Sequence, residues 1–170
     1  MASAAVKAAY LQHSMASAAV KGLAATSAGI PKLRYLSAWF CPYAHRATLA
    51  LEHHAGRVDY EWVEALGWNQ QKDENNVTGT GQEWFYHWKA DELKRVNPSA
   101  LVPTLIPVVD RATDEVDESK AVFESLVTID YVDAVSGATG KDRLVSEDPY
   151  EAARSRIWSD RVNRDCCSPY

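Results

Sequence analysis

The chain has 170 residues, the length of one domain or one small domain plus a further piece, with the 46% hydrophobic and 24% charged content of an ordinary globular protein. Its net charge of −5 argues against nucleic acid as a partner, and no stretch approaches the ~18 apolar residues of a membrane span. Three cysteines, two of them adjacent near the end, do not form a disulfide framework and point to a reducing compartment.

Residues 1–29 are rich in Ala and Ser and contain no acid, and the heptapeptide Met1–Lys7 recurs as Met15–Lys21. The segment lacks the apolar core of a secretory signal. It is expected to be a flexible tail over residues 1–30, with a plastid or mitochondrial transit peptide as the alternative. The corresponding localisation is cytoplasmic, or organellar if the tail is a transit peptide.

Leu33–Phe40 has the apolar, aromatic content of a strand, bounded upstream by Gly29 and Pro31. Cys41-Pro42-Tyr43-Ala44-His45-Arg46 follows, and a helix is expected from Pro42 to about His54. Proline suits the first helical position, because its fixed φ fits and its missing N–H is not needed there. Cys41 then stands at the cap, where first-turn N–H groups and the helix dipole favour a thiolate. His45 and Arg46 add positive potential, and Gly56 suits the helix exit. A buried structural cysteine is the plain alternative, but such cysteines sit inside an apolar stripe, not one residue before a helix-starting proline. His45, His53 and His54 read as solvated or satisfied, since no acid or cysteine stands at metal-ligand spacing from them.

Val58–Leu66 is expected to be a second strand, with Val58, Tyr60 and Trp62 alternating against Asp59 and Glu61. Strand, helix, strand over this span makes a parallel βαβ unit. Gln71–Gly81 reads as an exposed loop, and Glu83 to about Arg95 as a helix. Trp84, Phe85, Tyr86 and Trp88 either line an apolar site or, more often, cover a sheet edge. Asn97-Pro98 ends that helix. Thr104-Leu105-Ile106 is a strand that Pro107 interrupts, so that it is short or bulged at that point, and Asp110–Ser119 an acidic loop. Ala121–Phe123 forms a last short strand. A helix then opens at Glu124-Ser125, with Ser125 as its N-cap and Leu126, Ile129 and Val132 on one face. Beyond a linker, Asp148-Pro149 starts another helix, with Ala152, Ile157, Trp158 and Val162 on an amphipathic face.

From Leu33 to Arg164 the chain resembles the N-terminal, glutathione-binding domain of a glutathione transferase, and is most similar to the cysteine-type omega class. The resemblance rests on Cys41–Arg46, Glu83-Trp84-Phe85, Asn97–Leu105, Glu124-Ser125 with Tyr131-Val132-Asp133, and Glu147–Tyr150. It implies an α/β, thioredoxin-like fold, a mixed four-stranded sheet with flanking helices, followed by the first helix of an all-α C-terminal domain. The expected division is a tail at 1–30, the thioredoxin-like domain at 31–136, a linker at 137–148, and the start of a truncated helical domain at 149–170. The resemblance also implies site residues. Cys41 would form a mixed disulfide with glutathione. Val102, before a cis Pro103, would pair its backbone with the cysteinyl part. Glu124 and Ser125 would bind the γ-glutamyl end. Omega enzymes carry a lysine just before Glu-Trp-Phe, where this chain has Gly81-Gln82.

The expected activity is therefore that of a glutathione-dependent thiol transferase or reductase, with dehydroascorbate reduction among the related chemistries. Glutathione would be the co-substrate and no metal is needed. Other partners would be small disulfides or electrophiles, not nucleic acid or membrane, with a homodimer open to the full-length form. Ala44 stands where a glutaredoxin has its second cysteine, so an external thiol must resolve the mixed disulfide. The alternative is a non-catalytic module, truncated from a full-length transferase, that binds glutathione or a partner.

Overall fold

A computed structural model describes residues 29–71 and 84–167, with the backbone alone at 68–71, 84–87 and 167. The heptapeptide repeat and most of the expected Gln71–Gly81 loop, with Gly81-Gln82, lie outside the described residues.

The described residues begin with strand β1 (Lys32–Ser37), helix α1 (Pro42–His53) and strand β2 (Asp59–Glu64). β1 and β2 are parallel, with Lys32 opposite Asp59 and Ser37 opposite Glu64, so the expected βαβ unit is present. After a hairpin of β3 (Leu66–Gln71) and β4 (Trp84–Lys89), the chain forms helix α2 (Asp91–Val96) and strand β5 (Thr104–Asp110). Two short strands, β6 (Glu115–Val116) and β7 (Val122–Phe123), lead to helix α3 (Ser125–Val135), and helix α4 (Pro149–Val162) closes the order. In the main sheet β2, β1 and β5 lie side by side, and both β6 and β7 pair with β5. β5 runs antiparallel to β1, with Tyr35 opposite Leu105. This is the expected α/β, thioredoxin-like arrangement.

The period-2 pattern of β1 decides which helices cover which face. Leu33 and Tyr35 point with Leu105 into a core shared with Ala47, Ala50 and Leu51 of α1 and Val132 of α3. Leu36 points the other way, into a second core with Ile106, Leu66 and Leu93 of α2. Arg34 shares that second face and bonds Glu92 of α2 at 3.2 Å and Glu61 of β2 at 3.1 Å. Among the described residues no helix is long and apolar enough to cross a membrane.

Several elements differ from expectation. The segment 83–95 is not one helix. Trp84–Lys89 forms a strand, and only Asp91–Val96 is helical. An aromatic run favours a pleated strand, and Leu66–Gln71 supplies an antiparallel partner in register from Leu66–Lys89 to Gln71–Trp84. Trp88 packs on its cross-strand neighbour, since a Cβ at Gly67 would lie 2.3 Å from the indole nitrogen. The expected strand Val58–Leu66 accordingly divides at Ala65. Its N–H bonds the Ser37 carbonyl at 2.8 Å, and its carbonyl accepts from Ala90 at 2.8 Å.

Pro107 does not end β5, which continues to Asp110. In an antiparallel strand, N–H and C=O of one residue face the same neighbour. The Pro107 carbonyl accepts from Asp117 N–H at 2.9 Å, so the missing N–H faces that side and costs the β1 ladder nothing. A bulge between Val108 and Asp110 follows. The acidic stretch 110–119 is not all loop, because Glu115–Val116 pairs with β5. On α4 only Ala152 of the expected apolar positions is buried, while Ile157, Trp158 and Val162 are exposed.

Candidate glutathione site

β1 delivers the chain to a tight turn ending at Cys41. Cys41 N–H donates to the Ala38 carbonyl at 3.1 Å. His45 Nε2 lies 3.0 Å from the Trp39 carbonyl. A carbonyl only accepts, so Nε2 carries the hydrogen. Cys41 has extended dihedrals (φ −83°, ψ 115°) and stands at the N-cap of α1, with Pro42 opening the helix as the sequence predicts. No side chain caps α1, and no acid sits in its first turn.

Cys41 is almost buried, at 9% exposure. It lines a cleft of about 290 Å³ together with Tyr43, Leu66, Asn97 and Leu101. Val102, Pro103, Glu124 and Ser125 complete the lining. All five residues singled out in the sequence, Cys41, Val102, Pro103, Glu124 and Ser125, therefore meet in one place.

The second wall is the loop between α2 and β5. The Val102–Pro103 peptide is cis. Asn97, 1% exposed, organises this loop. Its side-chain amide donates to the Leu101 carbonyl at 2.9 Å and to Thr104 Oγ1 at 3.0 Å, and its Oδ1 accepts from Ser99 N–H at 3.0 Å. Every polar atom of Asn97 is engaged, so one buried side chain braces both ends of the loop. The Val102 backbone N–H and C=O have no partner among the described residues, although buried backbone groups are normally paired. An extended ligand backbone in the cleft would satisfy them.

The third wall is the start of α3. Ser125 is not its N-cap. The helix begins at Ser125, and Glu124 occupies the cap with φ 72° and ψ 118°. A non-glycine residue at positive φ is strained, and such strain gathers at binding sites. The Glu124 side chain is exposed and does not cap the helix. The Ser125 hydroxyl instead accepts a hydrogen bond from Arg46 at 2.9 Å.

Sequence reasoning read Asn97 only as a helix end, although Asn before Pro is also a turn-forming residue. Arg46 appeared only as positive potential, and no local signal gives its partner. Asp133 had no role beyond the resemblance. In the structure it is buried with His54, whose Nε2 is 2.9 Å away. Burial pushes the Asp133 carboxyl up. Hydrogen bonds from Leu144 N–H, Arg143, His54 and Val145 N–H outweigh that and hold it below the usual carboxylate range. Asp133 thereby ties the segment before α4 to α3 and α1. The three helix histidines are satisfied, with His53 bonded to the Asp142 carbonyl at 3.0 Å. Among the described residues no cluster of His, Cys, Asp or Glu is placed to hold a metal.

Residues 40–135 match the family of the glutathione S-transferase N-terminal domain, a span containing all nine cleft residues. The chain belongs to that family. Curated relatives include glutathione S-transferase U16 of Arabidopsis thaliana, 29% identical over 78% of this chain and 44% of its own length. The probable glutathione S-transferase GSTU6 of Oryza sativa subsp. japonica is 31% identical over 80% of this chain and 46% of its own. The chain thus spans less than half the length of these relatives. In three dimensions it resembles glutathione transferase Omega 2S from Trametes versicolor, with a TM-score of 0.53 and 24% identity, covering 79% of this chain and 48% of that one.

Proposed function

We propose that this chain is the glutathione-binding part of a cysteine-type, omega-like glutathione transferase, and that it acts as a glutathione-dependent thiol transferase through Cys41. The observation that carries the reading is a helix-capping, proline-backed cysteine facing the same cleft as Val102, cis Pro103, Glu124 and Ser125. The cleft suits the parts of glutathione in order. The thiol lies by Cys41, the central peptide pairs with the Val102 backbone, and the γ-glutamyl carboxylate and ammonium meet Ser125 and Glu124.

In the reaction, the Cys41 thiolate attacks the glutathionyl sulfur of a mixed disulfide RS–SG. A Cys41–SG disulfide forms, the RS–S bond breaks, and RS⁻ leaves and takes a proton from solvent. A second glutathione thiolate then attacks the glutathionyl sulfur on Cys41. That releases oxidised glutathione and restores the thiolate. The thiolate is the reacting form in both steps, and the helix N-terminus beside Cys41 carries partial positive charge. Ala44 ensures that the second thiol comes from outside.

A second reading follows from the plant relatives' names, which say glutathione S-transferase and nothing of thiol transfer. In that reading bound glutathione itself attacks an electrophile, and Cys41 is not the nucleophile. Replacing Cys41 by Ala and assaying both reactions separates the two. Loss of thiol transfer in the variant supports the first reading. Retained glutathione-dependent thiol transfer removes it.

A further inference from the structure

We infer that His45 and Glu64 are positioning residues for Cys41. Together they hold the backbone of Trp39, and with it the turn that carries the thiol. The inference rests on the glutathione reading above.

β1 ends at Ser37 and α1 begins at Pro42, so residues 38–41 form the turn between them. One bond closes it from within, from Cys41 N–H to the Ala38 carbonyl at 3.1 Å. Both backbone groups of Trp39 are held from outside. Its N–H donates to the two carboxylate oxygens of Glu64, at 3.3 Å each. Its carbonyl accepts from His45 Nε2 at 3.0 Å. Glu64 ends β2, in register opposite Ser37, and the Trp62 indole N–H donates to the same carboxylate at 3.4 Å. His45 lies in the first turn of α1, where its own N–H donates to the Cys41 carbonyl at 3.1 Å. The turn is thus fastened to β2 on one side and to α1 on the other.

Neither His45 nor Glu64 lines the cleft, so their effect on the reaction passes through the turn. A cysteine has a single torsion between its backbone and its sulfur, so the place of Sγ follows the backbone that carries it. Disulfide exchange needs the attacking sulfur in line with the bond it breaks, and a misplacement of about 1 Å costs about a hundredfold in rate. Charge does not account for Glu64, because a carboxylate gives a thiolate no electrostatic help. What the turn uses is its acceptor oxygens. The same holds for His45, since a neutral ring with hydrogen on Nε2 makes the bond to Trp39 as well as a charged one does.

The test follows addition of oxidised glutathione to the full chain by intact mass and peptide mapping, with thermal unfolding alongside. The Cys41 thiolate attacks one sulfur, the S–S bond breaks, Cys41–SG forms and one glutathione thiolate leaves. His45→Leu and Glu64→Leu should each slow addition at Cys41 about tenfold, part of what a displacement of about 1 Å costs. Affinity for reduced glutathione, read by calorimetry, should stay unchanged, because the cleft lining is intact. His45→Gln keeps an N–H donor and Glu64→Gln keeps an acceptor oxygen, so both should react within about twofold of the wild-type rate. The double Leu variant should be slowed by less than the product of the two losses, since one bond holds little once the other has released the turn. Wild-type rates in the Leu variants, or Gln variants as slow as the Leu ones, would overturn the inference and leave the glutathione reading intact. If one Leu variant fails to fold, the other carries the test. Failure of both would make these bonds structural and also overturn it. A wild-type chain that takes no glutathione at Cys41 would remove both readings.

Discussion

Helices α1 and α3 begin at the cleft, and neither closes its own N-terminus with a side chain or carries an acid in its first turn. Helix α4 begins away from it and does both. Asp148 accepts from Glu151 N–H at 2.9 Å, and Glu151 adds a carboxylate to the first turn. The first turn of any helix has N–H groups with no intrahelical partner. Where such an end has only a structural duty, a capping carboxylate satisfies them and stabilises the helix. At α1 and α3 the cap positions hold a thiol and a strained glutamate, neither of which caps. The stability given up there leaves two positive helix ends facing one cleft, which suits a ligand with an anionic thiolate at one end and a carboxylate at the other.

That contrast can be broken or sharpened by substitution. The largest effect belongs to Cys41→Ala, which should reduce glutathione-dependent thiol transfer to the uncatalysed background, read in a coupled disulfide-reduction assay. Next is Asp133→Ala in the last turn of α3, where removing one partner of a buried pair should cost about 3–5 kcal/mol in urea unfolding. The pH dependence of this site has a definite sign. The folded carboxyl is held low, so its stabilising contribution is present above the ordinary carboxylate value of about 4 and is lost as pH falls through the lower folded value. Asp133→Asn should flatten that acid limb of the stability profile. Asp148→Ala should cost about 1 kcal/mol of stability, the usual worth of a cap, with glutathione affinity unchanged. Glu124→Gly should do the reverse at the open end. Relief of the positive φ should stabilise the fold by about 1 kcal/mol, while glutathione affinity falls. If Asp148→Ala weakened binding as Glu124→Gly does, the two kinds of helix end would not differ in function.

Much of this was legible in local sequence. Pro42 placed Cys41 at a helix cap because proline has a positional meaning that does not depend on context. Asp148-Pro149 worked the same way and was found with its capping bond. The alternation of Val58, Tyr60 and Trp62 gave β2. What escaped depended on neighbours remote in the chain. Trp84–Lys89 shows no period that separates strand from helix until β3 lies beside it. Pro107 is harmless only because its missing N–H faces Asp117. Glutamate does not prefer positive φ, so Glu124 at the cap could not be read from its type. The site was assembled in advance by family resemblance, not by periodicity. The bonds that brace it, Arg46 to Ser125 and His54 to Asp133, each span 79 positions, a distance no local pattern encodes.

The most direct test is intact-protein mass after exposure to oxidised glutathione, with peptide mapping of the three cysteines over time. Burial alone favours modification at Cys166, which is exposed, over Cys41, which is buried. The account predicts the opposite order, with one glutathione added at Cys41 before Cys166 or Cys167, because position at the helix end and fit to the cleft outweigh access. Modification of Cys166 first, or all three at similar slow rates, would contradict it.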